Sequence, residues 1–101
     1  MNRLDEIQKL QKEIHAVAVA HGWYESPREV PELIALIHSE VSEALEAYRA
    51  WDDANFAEEC ADIAIRLMDM CEYKGVDLGR AILEKHEKNK LRPYRHGGKR
   101  A

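Results

Sequence analysis

The sequence has few residues that break helices or cross-link chains. Its 101 residues include three prolines, five glycines and two cysteines. No run approaches the roughly 20 apolar residues of a membrane-spanning helix, and no useful length alternates apolar with polar residues as a strand does. The charged N-terminal segment lacks the apolar stretch of a secretory signal peptide. We therefore expect one soluble, cytoplasmic domain with no membrane partner.

The two cysteines are not expected to form a disulfide or a zinc site. Cys60 and Cys71 are eleven residues apart in a segment with helical periodicity, which would separate them by about 16 Å. A disulfide requires Cα atoms within about 7 Å. We interpret both as buried, small, apolar side chains in a reducing compartment.

Apolar residues recur at helical spacing in four segments joined by short connections. Gly22 and Gly75 are expected to end the first and third helices. Asn55 is the predicted cap of the third helix, and Asp77 that of the fourth. The predicted helices span approximately residues 4–21, 31–51, 56–74 and 78–90. The fold class is therefore all-α, a four-helix bundle-like single domain.

The apolar faces of these helices exceed what one small domain can bury. A chain of 101 residues hides only about two-thirds of its unfolded surface. Self-association as a homodimer or a higher oligomer would cover the remainder. A compact monomer with a well-filled core is the alternative.

Charge is divided unevenly along the chain. Residues 1–84 carry 8 basic and 18 acidic residues, whereas residues 85–101 carry 7 basic residues and a single acid, Glu87. A basic tail on an acidic body favours an anionic ligand held near cations, although a solvated terminus that only aids solubility has the same composition. Nucleic acid is not an expected partner, because its binders spread basic charge along a structured face. We expect residues 94–101, with Gly97 and Gly98, to be flexible unless a ligand or neighbour holds them.

Four carboxylates are expected to converge between the second and third helices. Glu40 and Glu43 are three residues apart, as are Glu59 and Asp62, so each pair shares a helix face. The short connection around Trp51 forces an antiparallel return. Glu43 then lies level with Glu59, and Glu40 with Asp62. One such pair alone usually lies on a solvated helix face. Two pairs that lie at the same height on the two helices of one hairpin favour a metal site.

Converging carboxylates require protonation, exposure to water or a bound cation. Two like charges about 5 Å apart repel by roughly 3 kcal/mol at an effective dielectric constant of 20. Oxygen ligands of this kind suit Mg²⁺ best, with Mn²⁺ as the alternative. A di-iron bundle would use Glu-x-x-His, which does not occur in this sequence.

The sequence around these acids resembles the MazG-like family of all-α nucleoside triphosphate pyrophosphohydrolases. The family pattern is Glu-x-x-Glu, a spacer and Glu-x-x-Asp; here Glu40 and Glu43 are followed, after fifteen residues, by Glu59 and Asp62. The flanking segments SEVSEALEAYR and EECADIAIRLMDM match as well, and so does the C-terminal run KHEKNKLRPYRHGGKR. The resemblance covers most of residues 30–101.

This resemblance implies Mg²⁺-dependent hydrolysis of a (deoxy)nucleoside triphosphate between the α and β phosphates, yielding a monophosphate and pyrophosphate. It implies assembly as a dimer or tetramer. The four acids named above would hold the metal and form the catalytic centre. The residues that would contact the substrate are Lys85, Asn89, Arg92, His96 and Lys99.

One departure from the family pattern bears on the chemistry. Many relatives have a second acid before the first motif, where this chain has Ser39. If that acid is the general base elsewhere, this chain uses another group or a hydroxide held by the metal.

Two alternatives to the enzyme stay open. One is a relative that binds nucleotide without cleaving it, and the other is a helical module that binds a protein or nucleic acid through its basic tail.

The remaining chemically distinctive side chains permit two interpretations. Trp23 and Tyr24, in the first loop, either stack on a nucleobase or pack over the end of the helices. The histidines on helices are expected to be structural or exposed rather than catalytic. They are His15, His21 and His38.

Overall fold

The computed structural model describes residues 2–94 of the chain. That part contains four α-helices and no β-strand, which confirms the predicted fold class. The helices are α1 Arg3–Ala20, α2 Val30–Arg49, α3 Asp53–Lys74 and α4 Leu78–Lys90. None of them combines the length and the apolarity that crossing a bilayer requires.

Short polar side chains and glycine define the helix ends. The side chain of Asn2 accepts a hydrogen bond from the backbone of Asp5 and caps α1. Asp77 caps α4 in the same way, as its position predicts, by accepting from the backbone N–H of Arg80 at 3.0 Å. Gly75 ends α3 in the left-handed conformation, with φ 79°, which an L side chain adopts only at a cost.

The start of α3 differs from the prediction. Asp52, rather than Asn55, is the cap, and the group that it satisfies is the backbone N–H of Asn55 itself, at 3.1 Å. The reason is the tightness of the preceding turn. Trp51 has φ 60°, so α2 ends at Arg49 and α3 begins earlier than the apolar pattern indicates.

Helix α3 is the centre of the fold. It packs against α1, α2 and α4. Helix α1 runs antiparallel to it: the Gln11 amide donates to Glu72 at 3.1 Å, and His15, one turn later in α1, lies 2.7 Å from Asp69, one turn earlier in α3. Gly79 of α4 lies directly against Ile7 of α1. Helices α2 and α4 do not touch, so the bundle is open.

The core of the single chain is thin. Among the described residues, the buried apolar side chains are Leu33, Ala44, Ala47 and Cys71. Burial raises the pKa of the Cys71 thiol. The prediction that Cys60 is also buried is wrong, because Cys60 is exposed.

Candidate functional site

The α2–α3 hairpin brings three of the four predicted acids together. Oxygen atoms of Glu40, Glu43 and Glu59 all lie within 4.8 Å of one another. Glu43 therefore meets Glu59 across the hairpin, as the length of the turn predicts. Three carboxylates at this separation form an all-oxygen ligand set of the kind that hard divalent cations prefer.

The electrostatics of the cluster are unfavourable without a cation or a proton. Two carboxylate charges 4.8 Å apart repel by about 3.5 kcal/mol at an effective dielectric constant of 20. Burial, together with the hydrogen bonds and charges of Glu40 and Glu43, raises the pKa of Glu59 to about 7. Oε2 of Glu59 is buried and has no hydrogen-bond partner in the described part of the chain. A buried acceptor of this kind fits a metal ligand.

Glu40 is the buried member of the cluster and forms an ion pair with the side chain of Arg66. The Nε–H of Arg66 donates to Oε1 of Glu40 at 2.8 Å. Burial alone would raise the pKa of Glu40, but the hydrogen bonds from Arg66 and from Glu59, with the guanidinium charge, outweigh it and lower that pKa. Glu40 is therefore an anion when Glu59 still carries a proton.

Asp62, the fourth predicted acid, lies outside the three-carboxylate cluster. Its side chain is exposed and borders a cavity of about 260 Å³ beside Glu40 and Arg66. Apolar side chains of α1 and the Trp23 ring form the opposite wall. The complete lining is Ile14, Val17, Ala18, Trp23, Glu40, Asp62, Ile65, Arg66 and Asp69.

A hydrogen-bonded network anchors the far end of this cavity. Asp69 accepts from the Tyr24 hydroxyl at 2.6 Å, and its other oxygen lies 2.7 Å from Nδ1 of His15. The Tyr24 ring also packs on Tyr73, with centroids 4.4 Å apart. Tyr24 and His15 are thus held by contacts within the fold, and the exposed His21 and His38 lie outside this network.

Trp23 remains accessible and is flanked by two guanidinium groups. The residue is 43% exposed, and the guanidinium carbon atoms of Arg66 and Arg28 lie 5.2 and 5.6 Å from the centroid of its ring. Sequence reasoning did not identify Arg66 or Asp69. Their spacing is a usable signal, since Glu59, Asp62, Arg66 and Asp69 follow one another at intervals of three or four residues, which places them on one face of α3.

Three of the five residues predicted to contact substrate lie in the described part of the chain, on α4 or just beyond it. Lys85 and Asn89 are exposed on α4, and Arg92 is exposed just beyond it. Lys85 and Asn89 border a depression on α4 together with Leu78 and Ile82, and none of the clustered acids lines it. His96 and Lys99 lie outside the described residues, as do Gly97 and Gly98.

The family model for phosphoribosyl-ATP pyrophosphohydrolase (PRA-PH) matches residues 7–89. The chain belongs to this family. PRA-PH is an all-α pyrophosphohydrolase family of the MazG-like superfamily. The chain is accordingly a pyrophosphohydrolase domain, a hydrolase of acid anhydrides that acts on nucleotide-like substrates. Neither the curated proteins nor the solved structures yielded a match.

The PRA-PH match agrees with the chemistry of the acid cluster. Pyrophosphohydrolases of this family are typically metal-dependent, and the matched region contains all three clustered carboxylates. Their donor atoms are all oxygen, and one buried oxygen lacks a partner. The residues present therefore fit a divalent cation.

Proposed function

We propose that this PRA-PH family member is a Mg²⁺-dependent pyrophosphohydrolase that cleaves a (deoxy)nucleoside triphosphate between its α and β phosphates. The products are a nucleoside monophosphate and pyrophosphate, and Mn²⁺ is the alternative cation. The observation that supports the proposal is the convergence of Glu40, Glu43 and Glu59 within 4.8 Å. The family name adds phosphoribosyl-ATP, itself a triphosphate, to the candidate substrates.

Glu40, Glu43, Glu59 and Asp62 would hold the cation. The chemistry that a bound cation would supply is charge to offset the phosphates and a lowered pKa for a water molecule, which would make hydroxide available near neutral pH. Since the pKa of Glu59 is about 7, near neutral pH this carboxyl is partly protonated in the metal-free cluster, and a bound cation would favour its ionised form. Asp62 borders the cavity that Glu40 also lines, and would be the fourth ligand.

The cavity beside the cluster would receive the nucleoside. Its volume of about 260 Å³ is just below the usual range for small-molecule sites, roughly 300–1,000 Å³. The exposed Trp23 ring offers a stacking surface, and Ile14, Val17 and Ala18 add apolar side chains to the lining. The nucleoside would then lie next to the acids, with the phosphates directed toward them.

The basic C-terminal residues would bind the polyphosphate from a second copy of the chain in a homodimer or tetramer. In the described part of one chain, Lys85 and Asn89 border a depression that none of the clustered acids lines, so a neighbouring copy would bring these residues to the polyphosphate. They would position the triphosphate and stabilise its charge. The residues proposed for this role are Lys85, Asn89, Arg92, His96 and Lys99.

The decisive experiment incubates the protein with ribo- and deoxyribonucleoside triphosphates and phosphoribosyl-ATP, with and without Mg²⁺, and identifies the products. We expect pyrophosphate and a monophosphate only when Mg²⁺ is present. Glu43→Gln should lower metal affinity at least about tenfold without unfolding the helices. Glu58→Gln is the matched control, because Glu58 is an exposed neighbour of Glu59 outside the cluster.

Two other outcomes would contradict the proposal. Release of orthophosphate in place of pyrophosphate would refute cleavage at the α–β bond. Nucleotide binding without any product would favour the non-catalytic relative, for which Ser39 in place of an acid is the supporting observation.

A further inference from the structure

Arg66 occupies the boundary between the acid cluster and the adjoining cavity. Its Nε–H donates to Glu40 at 2.8 Å, and its guanidinium carbon lies 5.2 Å from the centroid of the Trp23 ring. We propose that Arg66 binds the phosphate attached to the nucleoside, and that in the metal-free protein it serves as the counter-ion of Glu40. This inference rests on the proposed function and adds a substrate contact to it.

The charge of the cavity supports this role for Arg66. Three carboxylates line the cavity, from Glu40, Asp62 and Asp69, and Arg66 is the one cationic side chain among the described lining residues. A nucleotide phosphate entering such a cavity meets like charge from the carboxylates. Of the lining side chains, Arg66 alone offsets that repulsion.

The hydrogen-bonding capacity of Arg66 supports the same conclusion. A guanidinium group has five N–H donors, and the contact with Glu40 uses the one on Nε. The other four have no acceptor within residues 2–94 of this chain. The side chain is 31% exposed, so these donors are accessible to a ligand. Two parallel N–H groups on a planar fork match two oxygens of a phosphate.

The position of Arg66 specifies which phosphate it binds. The nucleoside would lie against Trp23, and the cation would lie among the carboxylates, so the group between them is the phosphate joined to the nucleoside. Arg66 is also tied to Glu40, which would become a metal ligand. A cation held by Glu40 would offset the charge of that carboxylate, and this would weaken its attraction for Arg66 and favour contact of the guanidinium with the phosphate.

The test compares Arg66→Gln and Arg66→Lys with the wild type and with Arg28→Gln. Arg28 is the matched control because its guanidinium also lies over Trp23, at 5.6 Å, but pairs with Glu32 and does not line the cavity. The probes are Mn²⁺ alone, followed by the four ribonucleoside 5′-monophosphates and the corresponding nucleosides on Mn²⁺-saturated protein. Monophosphates contain no anhydride, so the comparison does not depend on turnover.

We expect Arg66→Gln to bind Mn²⁺ more tightly, because a cation next to a ligand has been removed. The same variant should bind a monophosphate at least about tenfold more weakly, as expected for the loss of a hydrogen bond to a charged group. Its affinity for the nucleosides should be unchanged. Arg66→Lys should fall between the wild type and Arg66→Gln, and Arg28→Gln should match the wild type with every probe.

Three results would overturn the inference. The first is unchanged monophosphate affinity in Arg66→Gln, which leaves Arg66 as a partner of Glu40 alone. The second is an equal loss for nucleosides and monophosphates, which places its role in packing against Trp23. The third is wild-type protein that binds monophosphates no better than nucleosides.

Two further arms keep the experiment informative. Circular dichroism and thermal melting check that the variants are folded, and if Arg66→Gln is not, the ratio of monophosphate to nucleoside affinity in Arg66→Lys decides. Failure of the proposed activity is recognised separately, by the absence of pyrophosphate from every triphosphate while the monophosphate comparison still holds.

Discussion

The repulsion among the clustered carboxylates appears in the pKa of a single residue, Glu59. Burial and the neighbouring Glu40 and Glu43 raise its pKa from the ordinary value of 4.5 to about 7. When the pKa of a carboxyl group is higher in the folded state than in the unfolded state, the folded protein is more stable with that group protonated than with it ionised. That contribution to stability is fully present below about pH 4.5 and is lost as the pH rises through about 7.

We therefore expect the free energy of unfolding of the metal-free wild type to fall between pH 5 and pH 8, relative to Glu59→Gln. Glutamine cannot titrate and preserves the shape of the protonated acid. Urea unfolding in the presence of a chelator at several pH values provides the measurement. Glu58→Gln is the control and should follow the wild type; a Glu59→Gln profile parallel to the wild type would contradict the assignment.

Glu40 should affect stability in the opposite direction. Its pKa is lowered, because contacts with Arg66 and Glu59 outweigh the effect of burial. A lowered pKa gives a contribution to stability that is present above the ordinary pKa of 4.5 and is lost as the pH falls through the folded-state value. The two acids therefore act in separate pH ranges, and the range from pH 5 to pH 8 reports on Glu59.

At the scale of helices, two substitutions at the N-terminus of α3 distinguish between Asp52 and Asn55 as its cap. Asp52→Ala should lower the free energy of unfolding by about 1 kcal/mol, because it leaves the backbone N–H of Asn55 without its side-chain acceptor. Asn55→Ala, at the position that the sequence pattern favours, should have a small effect, since alanine is a good helix former there. Urea or thermal unfolding of both variants distinguishes the two caps. A larger loss for Asn55→Ala would contradict the observed start of α3.

The α2–α3 hairpin shows how far the sequence specifies the site. A connection of about three residues allows only an antiparallel return. The number of residues from the turn then determines which residue of α3 lies at the same height as a given residue of α2. That reasoning correctly places Glu43 beside Glu59. Position along the axes could be predicted because it depends on residue count alone.

Rotation about the axis of α3 could not be predicted in the same way. Helix α3 contacts three other helices, so its apolar pattern does not determine which arc faces α2. In the structure, Arg66 rather than Asp62 contacts Glu40, and Cys60 faces outward. The metal set that includes Asp62 stays a prediction, whereas four helices with a short hairpin followed directly from periodicity.

At the scale of the whole molecule, the single chain exposes more surface than a folded monomer should. Its accessible area is 7866 Å², whereas folded monomers of 11.7 kDa expose about 5,900 Å². Its radius of gyration is 16.2 Å, against about 13 Å for a globular domain of 100 residues. The excess of roughly 2,000 Å² is more than the ~800 Å² that each partner buries in a standard interface.

We expect the protein to be a homodimer or a higher oligomer. The outer face of α2 is a suitable contact surface, because its exposed apolar residues repeat at helical spacing. They are Ile34, Val41, Leu45 and Tyr48. Light scattering after gel filtration should give a multiple of 11.7 kDa, and Leu45→Lys should shift the protein toward the monomer. Ala35→Lys, on an exposed neighbouring face of the same helix, is the control. A wild-type monomer at micromolar concentration would contradict this expectation.

The outward orientation of Cys60 makes the natural sequence convenient for spectroscopy. The chain has two thiols, of which Cys71 is buried with a raised pKa. A maleimide dye or nitroxide label therefore has one accessible attachment point, and it adjoins Glu59 in the sequence. No engineered cysteine is needed to follow cation uptake by fluorescence or by paramagnetic broadening.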